Sequence, residues 1–159
     1  LPLLLGFALG LSGCDSDRPK LEPGQPAPAF SAEVLDGRQL QVPEALAGQV
    51  LAIRFWADWC AFCETEMQDI EKVYQELKPK GLEVLAVNVG QDRETARRFV
   101  ERLGISYPTL LDPDSATARA YGVIGLPTTF FVDRQGRVQS KILGESDAAM
   151  FRQVLAPLL

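Results

Sequence analysis

Two cysteines three positions apart, Cys60 and Cys63, enclose Ala61 and Phe62 and follow Trp59. Thiols at this spacing can close a disulfide, exchange it with another, or supply half of a metal site. A zinc site would need two more ligands, and the chain holds no histidine and only one further cysteine, Cys14. The missing histidine also removes the commonest general base and the Ser/His and Cys/His arrangements of covalent hydrolases. No metal and no cofactor is expected. The chemistry must run on thiols, carboxylates or the backbone.

The elements on either side say how the pair is held. Val50–Trp56 is apolar except for Arg54, the composition of a strand covered on both faces. Further on, Met67, Ile70, Tyr74 and Leu77 recur at helical spacing until Pro79 and Gly81 end the pattern. The pair therefore stands where a buried strand passes into an amphipathic helix, which is expected to start at Cys60. Free N–H groups and the macrodipole at a helix start stabilise an anion. Cys60 is thus expected to attack as the thiolate, and Cys63, one turn on and more shielded, to resolve the mixed disulfide. A merely structural disulfide needs neither Trp59 beside it nor a strand-to-helix junction.

Leu82–Val89 reads as a second buried strand, which completes a parallel βαβ unit. Residues 30–41 alternate around Asp36-Gly37 and suggest a hairpin. Arg93–Leu103 carries one apolar stripe and ends at Gly104, and a short helix is expected over residues 115–121. Thr128–Val132 and Val138–Leu143 read as strands joined by a turn. The last helix is expected to begin near Ser146 or Asp147 and to present Met150, Phe151, Val154, Leu155 and Leu158. The predicted order is hairpin, βαβ unit, inserted helix, helix, two strands, helix. At 159 residues and 47% hydrophobic content there is material for one core, not two.

Cys14 needs its own explanation. Residues 3–11 form an apolar run too short to span a bilayer, and Leu11-Ser12-Gly13-Cys14 follows it before the charges of Asp15, Asp17 and Arg18. This has the make-up of the end of a signal peptide, with a basic n-region expected ahead of Leu1. The four residues ending at Cys14 resemble the bacterial lipobox, whose cysteine is lipidated and becomes the first residue of the mature protein. Residues 1–13 are then part of a signal peptide. Residues 14–29, with Pro19, Pro23, Pro26 and Pro28, read as a lipidated cysteine and an extended tether, and residues 30–159 as the domain. Sixteen basic against 21 acidic residues give a net charge of −5 with no basic run, which argues against nucleic acid as a partner.

Phe55-Trp56-Ala57-Asp58-Trp59-Cys60-Ala61-Phe62-Cys63 resembles the active-site segment of the thioredoxin superfamily, and Gly125-Leu126-Pro127-Thr128-Thr129-Phe130 resembles its cis-proline loop. The likeness covers residues 28–159. The lipobox, hairpin and inserted helix are similar in particular to the membrane-anchored TlpA/ResA branch. That resemblance implies an α/β, thioredoxin-like fold, βαβ plus ββα around a mixed central sheet, with an N-terminal hairpin and an inserted helix. It implies a thiol:disulfide oxidoreductase of the bacterial cell envelope, exchanging disulfides with proteins, fed by a membrane thiol-disulfide donor and often a reductant, as in cytochrome c maturation. On the same basis Pro127 is the cis-proline facing the disulfide, with Trp59 and Leu126 beside the substrate backbone. Glu66 is the acid that can take the proton Cys63 must lose; a plain solvated helix glutamate is the alternative. A lipid-anchored binding or chaperone module with an idle disulfide is the competing class. A peroxiredoxin-type peroxidase shares the fold, but its Thr-x-x-Cys pattern is absent, since Ala57 stands three before Cys60.

Three positions depart from the family pattern. Phe62 stands where proline often precedes the second cysteine, and Gln68 where proline often follows Met67. Arg54 stands in the middle of a strand read as buried. An unpaired guanidinium there would be very costly, so either Glu66 pairs with it or it reaches out at a sheet edge. Since buried ion pairs are rare, escape at an edge is the expectation.

Overall fold

The computed structural model describes residues 18–159, so the signal-peptide stretch read over residues 1–13 and Cys14 lie outside the described residues. A hairpin of β1 (Phe30–Val34) and β2 (Gln39–Val42) comes first, turning at Asp36-Gly37 as expected. The βαβ unit follows as β3 (Val50–Trp56), α1 (Cys63–Leu77) and β4 (Leu82–Val89). Next come α2 (Arg93–Leu103), β5 (Thr109–Asp112) and α3 (Ala116–Ala120). The chain closes with β6 (Thr128–Val132), β7 (Val138–Leu143) and α4 (Ala148–Leu155).

The strands form one mixed sheet in the order β2-β1-β5-β4-β3-β6-β7. The apolar strand β3 sits inside it, parallel to β4 and antiparallel to β6, with all seven residues buried. Successive side chains of a strand point to opposite faces. Val50, Ala52 and Trp56 therefore join a core with α1, α2 and α4, while Leu51, Ile53 and Phe55 join a second core with Ala118 and Tyr121. This is the thioredoxin-like arrangement the sequence implied.

Helix ends follow their local chemistry. Asp92 accepts the Thr95 N–H at the start of α2, and Gly104, at φ +67°, lets the closing N–H turn back onto the Val100 and Glu101 carbonyls. At α4 the Asp147 carboxylate accepts the Met150 N–H. Phe151 and Leu155 are buried as expected, whereas Met150 is exposed.

Four features differ from the sequence reading. Strand β5 was not foreseen: only four residues long and set between Pro108 and Pro113, it has no periodicity to show, yet it pairs with β4 and β1 inside the sheet. Helix α1 begins at Cys63, with Phe62 as its N-cap, three residues later than expected. Arg54 does not escape at an edge, because β3 is flanked on both sides and its guanidinium is wholly buried. Finally, part of the stretch read as a tether is docked: the Gly24 and Ala27 N–H groups donate to the Val138 and Gly136 carbonyls, and Val138 N–H donates to the Gln25 carbonyl. Prolines keep such a chain extended, and an extended chain can still pair with an open sheet edge.

Candidate active site

Strand β3 leads straight into the site. After Trp56 the chain turns through Ala57, Asp58 and Trp59, and the Cys60 N–H closes onto the Ala57 carbonyl at 3.2 Å. The Cys63 N–H then closes onto the Cys60 carbonyl at 3.1 Å as α1 begins. Cys60 and Cys63 are joined as a disulfide with Cα atoms 5.4 Å apart. Cys60 lies at the protein's rim with 6% exposure and Cys63 has none, so an incoming group meets Cys60 first. On either side Trp59 and Phe62 stand out into solvent, at 69% and 52% exposure.

Pairing within the sheet brings the proline loop to the same place. In the antiparallel register Phe55 lies opposite Thr128, so residues 126–127 continue past the end of β3 where the cysteine turn begins. The Leu126–Pro127 bond is cis, and Pro127 is buried. Its carbonyl accepts the Gly144 N–H at 2.8 Å, and the Thr128 hydroxyl donates to the Gly125 carbonyl at 2.7 Å, which fixes the loop on both sides. Leu126 is half-buried and touches both cores.

Beneath the disulfide lies an ion pair. Glu66, one turn along α1 from Cys63 and nearly buried, accepts from Arg54 Nη2 through Oε2 and from the Ser146 backbone N–H through Oε1. Arg54 Nη1 donates to the Thr129 hydroxyl at 3.1 Å, while Nε has no partner among the described residues. The sequence placed Glu66 on the right face of α1 and named Arg54 as its best partner, but expected them apart. Tyr107, whose hydroxyl donates to the Met67 carbonyl at 3.0 Å, is also close: burial pushes its phenol far up, and the Arg54 charge works against that.

Other groups steady the cysteine turn that sequence reasoning missed. Gln91 accepts from the Asp58 N–H and from Asn88 Nδ2, both at 2.9 Å, and donates to the Asp58 carboxylate. The buried Asn88 at the end of an apolar strand was the one available signal.

An oxidised cysteine pair at a strand-to-helix junction, facing a cis-proline loop across a mixed sheet, defines a thiol:disulfide oxidoreductase of the thioredoxin superfamily. The family model described as AhpC/TSA matches residues 23–141, and the chain belongs to that family. It is 35% identical over 145 residues to the thiol-disulfide oxidoreductase ResA of Geobacillus thermodenitrificans, covering 89% of this chain and 83% of that one. The ResA of Halalkalibacterium halodurans is 37% identical over 138 residues, covering 85% and 78%. A crystal structure of a thiol:disulfide interchange protein of the thioredoxin family from Chlorobium tepidum superposes with a TM-score of 0.77 at 26% identity, covering 86% of this chain and 97% of that one.

Proposed function

We propose that the protein works outside the cytoplasm, held to the membrane by a lipid on Cys14, and exchanges its Cys60–Cys63 dithiol with protein disulfides. Reduction of cysteines awaiting haem attachment in cytochrome c maturation, or a similar task, is the substrate class. The observation that carries this reading is the unequal exposure of the two sulfurs, with Cys60 at a rim beside the exposed Trp59 and Cys63 sealed behind it.

In the reductive direction the Cys60 thiolate attacks one sulfur of a substrate disulfide. A mixed disulfide forms and one substrate thiolate leaves. Cys63, as thiolate, then attacks the Cys60 sulfur, which closes Cys60–Cys63 and releases the second substrate thiolate. Two electrons pass to the substrate. A membrane dithiol donor restores the reduced pair by the reverse sequence. The cis-proline at Pro127 keeps the Leu126 N–H and carbonyl open beside Cys60 for an extended substrate chain, with Trp59 as its apolar neighbour. Glu66 stands one turn from Cys63 with both oxygens engaged, by Arg54 and by the Ser146 N–H, so it takes the Cys63 proton only through a water admitted when the disulfide opens.

Location rests on Leu11-Ser12-Gly13-Cys14 and on the even pair that remains once Cys14 is set aside. Three variants test the proposal. Cys63→Ala is expected to accumulate mixed disulfides with substrate proteins, visible on non-reducing gels, while Cys60→Ser forms none; equal trapping by both would refute the assignment. Cys14→Ser is expected to release the protein from the membrane fraction with exchange activity intact, and an unchanged membrane fraction would remove the lipid anchor.

A further inference from the structure

The docked N-terminal segment shortens the tether. Pro19 lies so tightly over Gly122 that a Cβ added there would come within 1.9 Å of the Pro19 carbonyl oxygen. From Pro19 onward the chain follows the domain, so only the steps from Cys14 to Arg18 separate a lipid from the domain surface. At ~3.6 Å per residue fully extended, these four steps reach about 14 Å at most. A domain held within that reach of the bilayer has the face beside the attachment point nearest to it.

That face gathers cations although the chain carries a net charge of −5. A groove beside the attachment point is lined by Arg18, Lys20, Lys141, Ile124 and Leu143, with Glu22 as its carboxylate. The three cations are exposed, and Ile124 and Leu143 are 70% and 56% exposed, among the most exposed large apolar side chains of the domain. Basic groups around protruding aliphatic side chains suit the boundary of an anionic leaflet, where the cations meet phosphate and the apolar tips enter below it.

We propose that Arg18, Lys20, Lys141, Ile124 and Leu143 rest on an anionic phospholipid bilayer, so that this face and the lipid on Cys14 together fix the domain's orientation. The inference rests on the lipidation of Cys14 proposed above. It has a consequence for substrate choice. Ile124 shares a loop with Leu126 and Pro127, and Leu143 precedes Gly144, whose N–H binds the Pro127 carbonyl. Resting on this face holds the rim of the disulfide site at bilayer level, which selects cysteine pairs on polypeptides anchored at or just above the membrane over pairs on freely diffusing proteins.

The test uses the lipidated protein, its lipid verified by mass, with Cys60–Cys63 oxidised and the protein reconstituted into vesicles of phosphatidylethanolamine and phosphatidylglycerol. A fluorophore is placed on Leu143→Cys or, as control, on Gln41→Cys in β2. These strands are opposite edges of a seven-stranded sheet, about 29 Å apart. Spin-labelled lipid is expected to quench the label at 143 and spare the label at 41. Each cation near the surface shifts the docked-to-undocked ratio about fivefold. Arg18→Glu, Lys20→Glu and Lys141→Glu together should therefore bring quenching at 143 down to the control level while turnover of a small soluble disulfide stays unchanged. Equal quenching at both positions, or none, on protein that carries the lipid overturns the docked face and leaves the anchor standing. A label at 143 shielded from iodide but not quenched by lipid places protein in the groove and also overturns it. A mass without lipid overturns the anchor, and this inference with it.

Discussion

Removing Arg54 leaves the Glu66 carboxylate in the core with one remaining donor, the Ser146 N–H. Breaking a buried pair by deleting one partner costs roughly 3–5 kcal/mol, because the other charge stays behind. For Arg54→Met the low end, about 3 kcal/mol, is expected, since a hydrogen bond to a charged group contributes about 1.5–3 kcal/mol and the Ser146 bond survives. Glu66→Gln is the harsher change. It strands a guanidinium that is wholly buried, retains Thr129 and has no partner at Nε among the described residues, so about 4–5 kcal/mol is expected. The double variant removes both charges and should cost no more than the worse single one, a coupling near 3 kcal/mol. Urea unfolding of the four proteins measures it. If a single variant fails to fold and the double variant folds, the sign of the coupling is already fixed. Additivity within about 0.5 kcal/mol would mean the two side chains act independently, and the argument from their pairing would be lost.

Other perturbations probe the rest of the site and its surroundings. Phe62→Pro removes an N–H at the start of α1 that can favour the Cys60 thiolate, so the couple should become more reducing; a potential that rises or stays put refutes the donor argument. Gly122→Ala places a side chain at φ +65° against the Pro19 carbonyl and should destabilise by more than about 1 kcal/mol, with faster proteolysis ahead of β1. Asp92 is held below its ordinary value of 3.8 chiefly by the Thr95 N–H. A lowered folded-state value means its contribution is complete above the unfolded value and fades as pH falls through the folded one. The urea midpoint of wild type should therefore drop more steeply below about pH 4 than that of Asp92→Asn, and parallel curves would contradict this.

Strand β3 and helix α2 were legible because each has a long apolar pattern and clear stop signals. Strand β5 was not, since four residues between prolines carry no period and gain their place only from β1 and β4. The start of α1 was misplaced for a related reason: a turn closed by Ala57–Cys60 and Cys60–Cys63 hydrogen bonds has the same residue types as a first helical turn. The cysteine pair and the cis-proline Pro127 were legible because their chemistry is local and unusual, and the structure joins the cysteines as a disulfide and makes the Leu126–Pro127 bond cis. Gln91 and Ser146 were invisible. They act on residues 33 and 80 positions away, and a backbone N–H or a loop amide leaves no pattern in the chain.

Arg54 could be recognised as a problem but not solved, because whether β3 is an edge strand is a property of the whole sheet. Its retention asks for a reason beyond stability, as a buried ion pair is often no better than well-packed apolar side chains. The contacts supply one. Arg54 holds Glu66, Glu66 holds the Ser146 N–H, and two residues earlier Gly144 holds the Pro127 carbonyl. The pair thus fixes the turn between β7 and α4 on which the proline loop leans, making Arg54 a positioning residue. Replacing both partners by apolar ones, Arg54→Met with Glu66→Leu, should give a folded protein whose Pro127 loop is less constrained. Single-turnover attack on a small aromatic disulfide, the one step that needs only Cys60, should then be nearly normal. Exchange with a protein disulfide, which must lie along Leu126 and Pro127, should lose about tenfold in kcat/KM, mainly through KM, equivalent to about 1.4 kcal/mol of binding. Equal losses with both substrates would point instead to an effect on the sulfurs themselves, and no loss with either would leave the pair without a role in substrate binding.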